Sequence, residues 1–433
     1  MNTEISRDYR FFIKTLGCKV NQYESQAIRE SMLSLGFKEC PSKETADIYI
    51  LNTCTVTHKA DTESRHWAGV FHKTNPNAKI VITGCCSETD SGSFSFLPGV
   101  CNIIKNEDKG RIADVLTGNP GKASGALSIT DFKDHSKAFV KIQDGCSNLC
   151  AYCKVPLVRG GNVSKPVKDV AKEVGLLVSK GFKEIVLTGI CLGAWGQDTG
   201  EGSGIVAALK ELERIEGSFR VRLSSIEPKY VTDELIGYMS SSGRVCRHLH
   251  IPIQSGDDAV LAAMNRPYTA GELNGIVAKA RKSVEGIGIT TDIMVGFPGE
   301  SDANLRNTVK LVKDILPVRV HIFPFSAREG TAAFSMAGEV PQEVIKNRFQ
   351  AVRASAIAAS YLYRCDFRNR LVDVLVESKR ERYSNRLTGY SDNYIRVSFD
   401  GPDSMMRKIS PVKIEEPNLT CTLGSIVQPT RLK

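Results

Sequence analysis

Cys146, Cys150 and Cys153 stand in residues 141–154, KIQDGCSNLCAYCK, with the spacing C-x3-C-x2-C. Three thiolates this close together can hold three corners of a four-iron cubane and leave the fourth iron without a protein ligand. Fully ligated clusters take four cysteines, so a compact set of three leaves one iron open to a reactant. A structural zinc knuckle needs a fourth Cys or His close by. The nearest in sequence, His135 and Cys191, are not at motif spacing. The pattern favours an open iron–sulfur cluster over a zinc site.

Three further cysteines occupy equivalent contexts: Cys18 in KTLGC, Cys54 in ILNTC and Cys85 in VITGC, each after a short apolar run. Runs at 11–16, 47–52 and 79–83 alternate with helical spacing at 22–35 and 57–72, which argues for a βαβ sheet with parallel strands. Parallel strands end on one edge, and that edge carries the ligand site in open α/β sheets. The three cysteines would meet there and hold a second open cluster. Gly17 and Gly84 each precede a cysteine, where backbone must turn tightly. Cys86 competes with Cys85 as third ligand; Cys85 holds the place after Thr-Gly. Cys40 and Cys101 have no such context and read as structural.

At 433 residues the chain has room for about three domains. The excess of 57 Lys+Arg over 48 Asp+Glu gives +9, which permits a polyanionic partner without demanding one. The first residues, MNTEISRDYRFF, are polar, and no apolar stretch approaches ~18 residues, so no membrane association is expected. An odd count of 13 cysteines in a large chain without a leader reads as reduced thiols with metal sites, hence a cytoplasmic protein.

Between 132 and 364, strand-type runs at 138–143, 184–187, 219–223, 248–253, 290–295 and 318–325 alternate with helical stretches. Six such units suggest an open (β/α)6 barrel with function on the loops after the strands. LTGICLG places Thr188 and Gly189 at one strand end, and RLSSIEP places Ser225 and Glu227 at the next. HIPIQSG contributes Gln254, and TDIMVGFPGE contributes Asp292 and Gly296. Together with Tyr152, just before the last loop cysteine, these are candidate contacts for cofactor or substrate. Residues 341–364 have the spacing of a helix packed on the barrel wall. From 366 onward, short runs at 371–377, 393–398, 409–414 and 425–429 suggest a small all-β barrel. Within it KRERYSNR sets Lys379, Arg380, Arg382 and Arg386 around Tyr383. Cations there can meet phosphates, and the ring can stack on an unpaired base.

The cysteine loop with Tyr152 resembles the radical S-adenosylmethionine (SAM) enzymes, in which the amino acid part of SAM chelates the open iron. The whole chain is similar to the methylthiotransferases, on the blocks KTLGCKVNQYES, ILNTCTVT, VITGC, KIQDGCSNLCAYC, HLHIPIQSGDD, TDIMVGFPGE and HIFPFSAREGT. The resemblance implies an α/β protein: an N-terminal doubly wound parallel-sheet domain at 9–121, a central open (β/α)6 radical SAM barrel at 132–364, and a C-terminal TRAM-like barrel at 366–433. It implies two 4Fe–4S clusters, on Cys18, Cys54, Cys85 and on Cys146, Cys150, Cys153, and SAM as both radical source and methyl donor. It further implies a tRNA partner, a low-potential electron donor such as flavodoxin or ferredoxin, and a monomer. RLSSIEP resembles the branch acting on N6-threonylcarbamoyladenosine beside the anticodon; sister branches act on isopentenyladenosine or on a ribosomal protein aspartate. The implied reaction replaces the adenine C2 hydrogen by a methylthio group. A distant alternative is a non-catalytic iron–sulfur RNA-binding protein.

Overall fold

The computed structural model describes residues 9–118, 127–199 and 204–427. The expected boundary at 121 and the end of the expected strand 425–429 lie outside these residues.

Five parallel strands form the N-terminal sheet: β1 (Arg10–Thr15), β2 (Lys38–Glu39), β3 (Ile48–Thr53), β4 (Lys79–Gly84) and β5 (Val100–Ile104), in the order β2-β1-β3-β4-β5. β3 is buried along its whole length and β4 nearly so, as parallel strands covered on both faces are. Phe11, Ile13, Ile28 and Met32 fill one face, and Tyr49, Leu51, Phe71 and Ile80 fill the other. The sheet is thus doubly wound. Its strand order reverses between β1 and β3, which opens a crevice at their carboxyl ends. α1 (Lys19–Ser34) leaves from β1 and α2 (His58–Thr74) follows β3, so Cys18 and Cys54 flank that crevice and Cys85 follows on β4. The sequence reading missed β2, only two residues long, and β5, a half-exposed edge strand without a clean apolar run.

The second unit starts with β6 (Ala138–Lys141). A small ribbon, β7 (Gln143–Asp144) with β8 (Val163–Ser164), frames the cysteine loop. β6, β9 (Glu184–Thr188), β10 (Arg220–Leu223), β11 (His248–His250), β12 (Gly288–Val295) and β13 (Arg319–Pro324) are parallel and stand in chain order. Bridges Val221–Val245 and Ser225–His250 join the two halves, so six strands curve into an open barrel between β6 and β13. α1 packs against β6. Period-two alternation sends Ile185, Val221, Leu249 and Ile289 outward to the helices and leaves Glu184, Arg222, His248 and Thr290 inward. The lumen is therefore polar. β11 ends at His250, earlier than expected, because Pro252 has no N–H to continue the ladder.

Helix Gln342–Cys365 packs on the outside of β13 and the neighbouring helix Asp302–Ile315. Gly296 (φ +79°) sits under it, where a Cβ would come within 2.5 Å of Ile345 Cγ1. β14 (Leu371–Val376), β15 (Leu387–Tyr390), β16 (Arg396–Phe399), β17 (Ile409–Pro417) and β18 (Thr422–Ile426) close a small barrel in the order β14-β15-β16-β18-β17. β15 was not expected, and the strand expected at 393–398 starts at Arg396, because Asn393 N–H is turned back onto the Asp392 carboxylate and Tyr394 takes φ +71°.

A buried ion cluster fastens this small barrel to the large one. Glu184 accepts from Arg220 Nε (2.7 Å) and Arg222 Nε (2.9 Å). The remaining guanidinium donors reach the carbonyls of Asp373, Tyr390, Ser391 and Asp392. Burial raises the Glu184 carboxyl, but Arg222 and Arg220 outweigh it and hold it far below its ordinary 4.5. The stabilisation is thus complete above the unfolded value and is lost as pH falls below about 4.5. Glu184→Gln, which strands two buried cations, should destabilise the junction by about 3–5 kcal/mol. Limited proteolysis across 366–370 should then cut the variant at neutral pH and the wild type only in acid.

Candidate active site between two cysteine loops

β6 delivers the loop that carries Cys146, Cys150 and Cys153. Gly145 (φ +68°) makes the turn, and a Cβ there would overlap Gly161 O at 1.8 Å. Cys146 N–H donates to Gly160 O, and Ala151 N–H to Met264 O, so both ends of the loop are pinned. Cys146 Sγ accepts from Asn148 N–H at 3.4 Å and Cys150 Sγ from Arg266 Nη1 at 3.1 Å. Arg266 also pairs with Glu227. The Cys191 thiol donates to Cys146, which brings Cys146 down to about 7 and pushes Cys191 up, while burial pushes Cys153 up to about 12. Cys191 is distant in sequence, and only the glycine-rich strand end LTGICLG signalled it.

The rim above the loop holds the expected polar groups in differing environments. Ser224 Oγ and Gln254 Oε1 are buried without hydrogen-bond partners among the described residues, and Gln254 takes φ +69°. Unpartnered polar atoms of this kind fit a polar cofactor such as SAM. Thr188 is buried, its carbonyl accepting from Ile142 N–H, and Ser225 bridges to His250. Asp292 lies 3.1 Å from ring nitrogens of both His250 and His321. Gly189 is required by a protein neighbour, since a Cβ would lie 2.7 Å from Gln143 Oε1, which accepts from Cys191 N–H.

Across from this rim stand the N-terminal cysteines. Gly17 (φ +90°) lies against Cys54, its hypothetical Cβ 2.9 Å from the sulfur. The thiols of Cys18 and Cys85 act on Cys54, which burial raises to about 11. Cys85 is also raised by burial, opposed by Arg159 and Lys109. Cys86 turns the other way, its sulfur toward Cys54 O (3.1 Å), Asp61 (3.4 Å) and Ser64 (3.7 Å) on α2. Cys85 therefore faces the crevice and Cys86 the core.

Arg159 comes from the helix Val155–Arg159 that follows the barrel's cysteine loop, yet it reaches Asn21 Oδ1 (2.7 Å) and Glu24 Oε1 (2.8 Å) on α1. Glu24 also pairs with Lys109 and, at 3.0 Å, with Lys141, while Arg159 meets Asp144 at 3.0 Å. Burial raises the Glu24 carboxyl, but Arg159, Lys109 and Lys141 overcome this and hold it well below its usual range. The network joins the N-terminal sheet to the barrel next to Cys85. An apolar cavity of about 210 Å³ lies between the loops, lined by Thr55 and Val56 just after Cys54, by Tyr152 and Cys153, and by Gln254 and Met294.

Residues 10–104 match the Uncharacterized protein family UPF0004, and residues 140–312 match the Radical SAM superfamily. The threonylcarbamoyladenosine tRNA methylthiotransferase MtaB of Bacillus subtilis (strain 168) is 35% identical over 431 residues, covering 96% of this chain and 95% of the relative. The chain belongs to the radical SAM tRNA methylthiotransferases. The MtaB of Thermotoga maritima is 37% identical over 402 residues, covering 90% and 91% of the two chains. The tRNA-2-methylthio-N(6)-dimethylallyladenosine synthase of Clostridium tetani is 32% identical over 432 residues, with 93% of each covered. In fold, the chain resembles the radical S-adenosylmethionine methyltransferase TsrM from Kitasatospora setae, with TM-score 0.55 and 13% identity over 76% of this chain and 77% of that one. The methylthiotransferase is thus an enzyme that uses SAM and two 4Fe–4S clusters, and within the family it sits with the MtaB branch. Among the described residues no helix is long and apolar enough to cross a membrane.

In the C-terminal barrel, Tyr383 is 93% exposed. Arg380 holds its own loop through Asp403, Asn385 O and Gly401 O, and Arg386 faces Asp400 at 3.4 Å. A cleft of about 710 Å³ between this barrel, β13 and helix Gln342–Cys365 adds Arg319 and Arg353, which the sequence reading did not single out.

Gly17→Ala should disrupt the N-terminal cysteine site alone, because its Cβ meets Cys54 while the barrel loop is untouched. Anaerobic reconstitution should give about four irons per chain where the wild type gives about eight, by iron analysis.

Proposed function

We propose that this methylthiotransferase acts on N6-threonylcarbamoyladenosine of tRNA, placing a methylthio group at adenine C2. The observation that carries the reading is a cavity bordered by both cysteine loops. In it an adenine edge can face both cysteine sites at once. The choice of nucleoside is supported by relatives named for threonylcarbamoyladenosine at 35–37% identity, against 32% for the Clostridium tetani relative named for dimethylallyladenosine.

In this reading Cys146, Cys150 and Cys153 hold one cluster and Cys18, Cys54 and Cys85 the other. The bound clusters and SAM supply one-electron chemistry able to replace an unreactive C–H bond, together with the transferred sulfur and methyl. The chain's own residues do the rest. Arg266 donates to the Cys150 sulfur and neutralises Glu227, so the carboxylate adds no unpaired negative charge beside the thiols that would hold the cluster. Tyr152, Gln254 and Ser225 line the rim for SAM and substrate. Met294 and Phe323 give the cavity apolar walls that exclude water from a radical step. Lys379, Arg382, Tyr383 and Arg386, with Arg319 and Arg353 in the adjoining cleft, offer cations for the phosphates of the anticodon arm. The reductant is a low-potential electron-transfer protein.

Nucleoside mass spectrometry of tRNA from cells with and without the gene tests the substrate. Loss of methylthio-threonylcarbamoyladenosine alone is expected, and loss of methylthio-dimethylallyladenosine instead would transfer the protein to the sister reaction. With purified protein, Cys150→Ala should abolish SAM cleavage. Cys54→Ala should keep SAM cleavage and lose the methylthio product; product from Cys54→Ala would refute the assignment of the N-terminal site as sulfur donor.

A further inference from the structure

His250, Asp292 and His321 come from three neighbouring strands of the barrel, β11, β12 and β13. Asp292 Oδ2 lies 3.1 Å from His250 Nε2, and Asp292 Oδ1 lies 3.1 Å from His321 Nδ1. One nitrogen from each ring and a carboxylate oxygen thus fall within 4.8 Å of one another. At metal–ligand bonds of about 2.0–2.2 Å, two ligand atoms on one ion stand roughly 3–4 Å apart. The three side chains need only a small shift to close on an ion.

Strand register places the group. Asp292 pairs with His321, and Met294 with Phe323, across β12 and β13. Residues two apart share a face of a strand. Asp292 and His321 therefore point the same way as Met294 and Phe323, which line the cavity between the cysteine loops. The group lies one step from that cavity, about 7 Å toward the amino ends of the strands. The side chains of His250 and Asp292 are largely covered, and that of His321 is half exposed, which leaves a way in.

The surrounding contacts suit ligation. His250 Nδ1 shares a hydrogen bond with Thr290 Oγ1 (2.8 Å), which also meets His248 Nε2 (2.9 Å). This holds the His250 ring with Nε2 toward Asp292, and the hydroxyl can turn to serve either tautomer. Ligating histidines are held in this way through their second nitrogen. Without an ion, ring N–H groups can donate to the carboxylate; an ion takes the place of those protons, which leave to solvent. Among the described residues no Lys or Arg is ion-paired with Asp292. Two neutral imidazoles and one carboxylate carry −1, so a divalent cation leaves the group at +1.

We propose that His250, Asp292 and His321 bind one divalent transition-metal ion, with coordination positions open toward the cavity. Two imidazoles and one carboxylate form open sites for zinc and for iron(II), in which water or a reactant takes the free positions. The ion turns an anionic group into a cationic one beside the cavity, where an oxygen of the bound molecule can take a free position. The site is separate from both cysteine sets and holds whichever nucleoside the enzyme modifies.

The test uses the full, cluster-loaded chain under anaerobic conditions, with zinc chloride as the probe and the excess removed by gel filtration. Metal analysis should give about one zinc per wild-type chain, with iron unchanged at about eight because both clusters stay in place. Zinc-edge X-ray absorption should show nitrogen and oxygen neighbours at about 2.0–2.2 Å and no sulfur at about 2.3 Å. In calorimetric titrations Asp292→Asn and His321→Ala should each weaken zinc more than about 100-fold, beyond the cost of losing an outer hydrogen-bond partner. Thr290→Val, which removes such a partner, should weaken it about 10- to 100-fold. His321 is half exposed, so His321→Ala keeps the test open if Asp292→Asn fails to fold, and iron content reports folding in each variant. No zinc in the wild type, or affinity unchanged in a folded Asp292→Asn or His321→Ala protein, overturns the proposal. So does sulfur in the zinc shell, which would place the ion on cysteines.

Discussion

One buried carboxylate and the cations around it govern how the rest of the molecule is arranged. Glu24 on α1 holds Lys109 from its own unit and Arg159 and Lys141 from the barrel, with Asp144 balancing the surplus. Three cations out of water would be strongly unfavourable without Glu24, and Glu24 would be unfavourable without them. Each partner therefore fixes the others. Because Arg159 ends the helix that leaves the barrel's cysteine loop and lies beside Cys85, the same contact sets where the two cysteine sites stand relative to each other.

That registration explains two features of the site. Each cysteine loop is shaped by a glycine in a left-handed turn with no room for a side chain, Gly17 against Cys54 and Gly145 against Gly161. The cavity between the loops is small and apolar, whereas the barrel lumen is polar, with its buried ion pairs tied to the C-terminal barrel through Arg220 and Arg222. Radical chemistry needs a site of the first kind, from which water is excluded.

Much of this was legible in the chain. The C-x3-C-x2-C spacing is local, so it survives reading without a fold, and three cysteines after apolar runs announce a common edge once the strands are taken as parallel. The preference for Cys85 over Cys86 rested on Thr-Gly before it, and the turn at Gly84 does point Cys86 at α2. What stayed hidden depends on contacts between distant segments. Glu24 reads as one more acid on an amphipathic helix and Arg159 as a loop cation. Arg266 lies far in sequence from Cys150, and Cys191 from Cys146, so no local pattern pairs them. Gly189 and Gly296 read as room for a cofactor, yet their neighbours are Gln143 and Ile345. β2 and β5 escaped because edge strands lack the continuous apolar run of buried ones.

The central claim is that two cysteine-bound clusters face one cavity, held there by the Glu24 network. Electron paramagnetic resonance of the fully reduced, cluster-loaded protein tests it most directly. Two paramagnets across one cavity should couple, giving a broadened spectrum that differs from the sum of the spectra of the Cys54→Ala and Cys150→Ala proteins. A wild-type spectrum equal to that sum would contradict the arrangement.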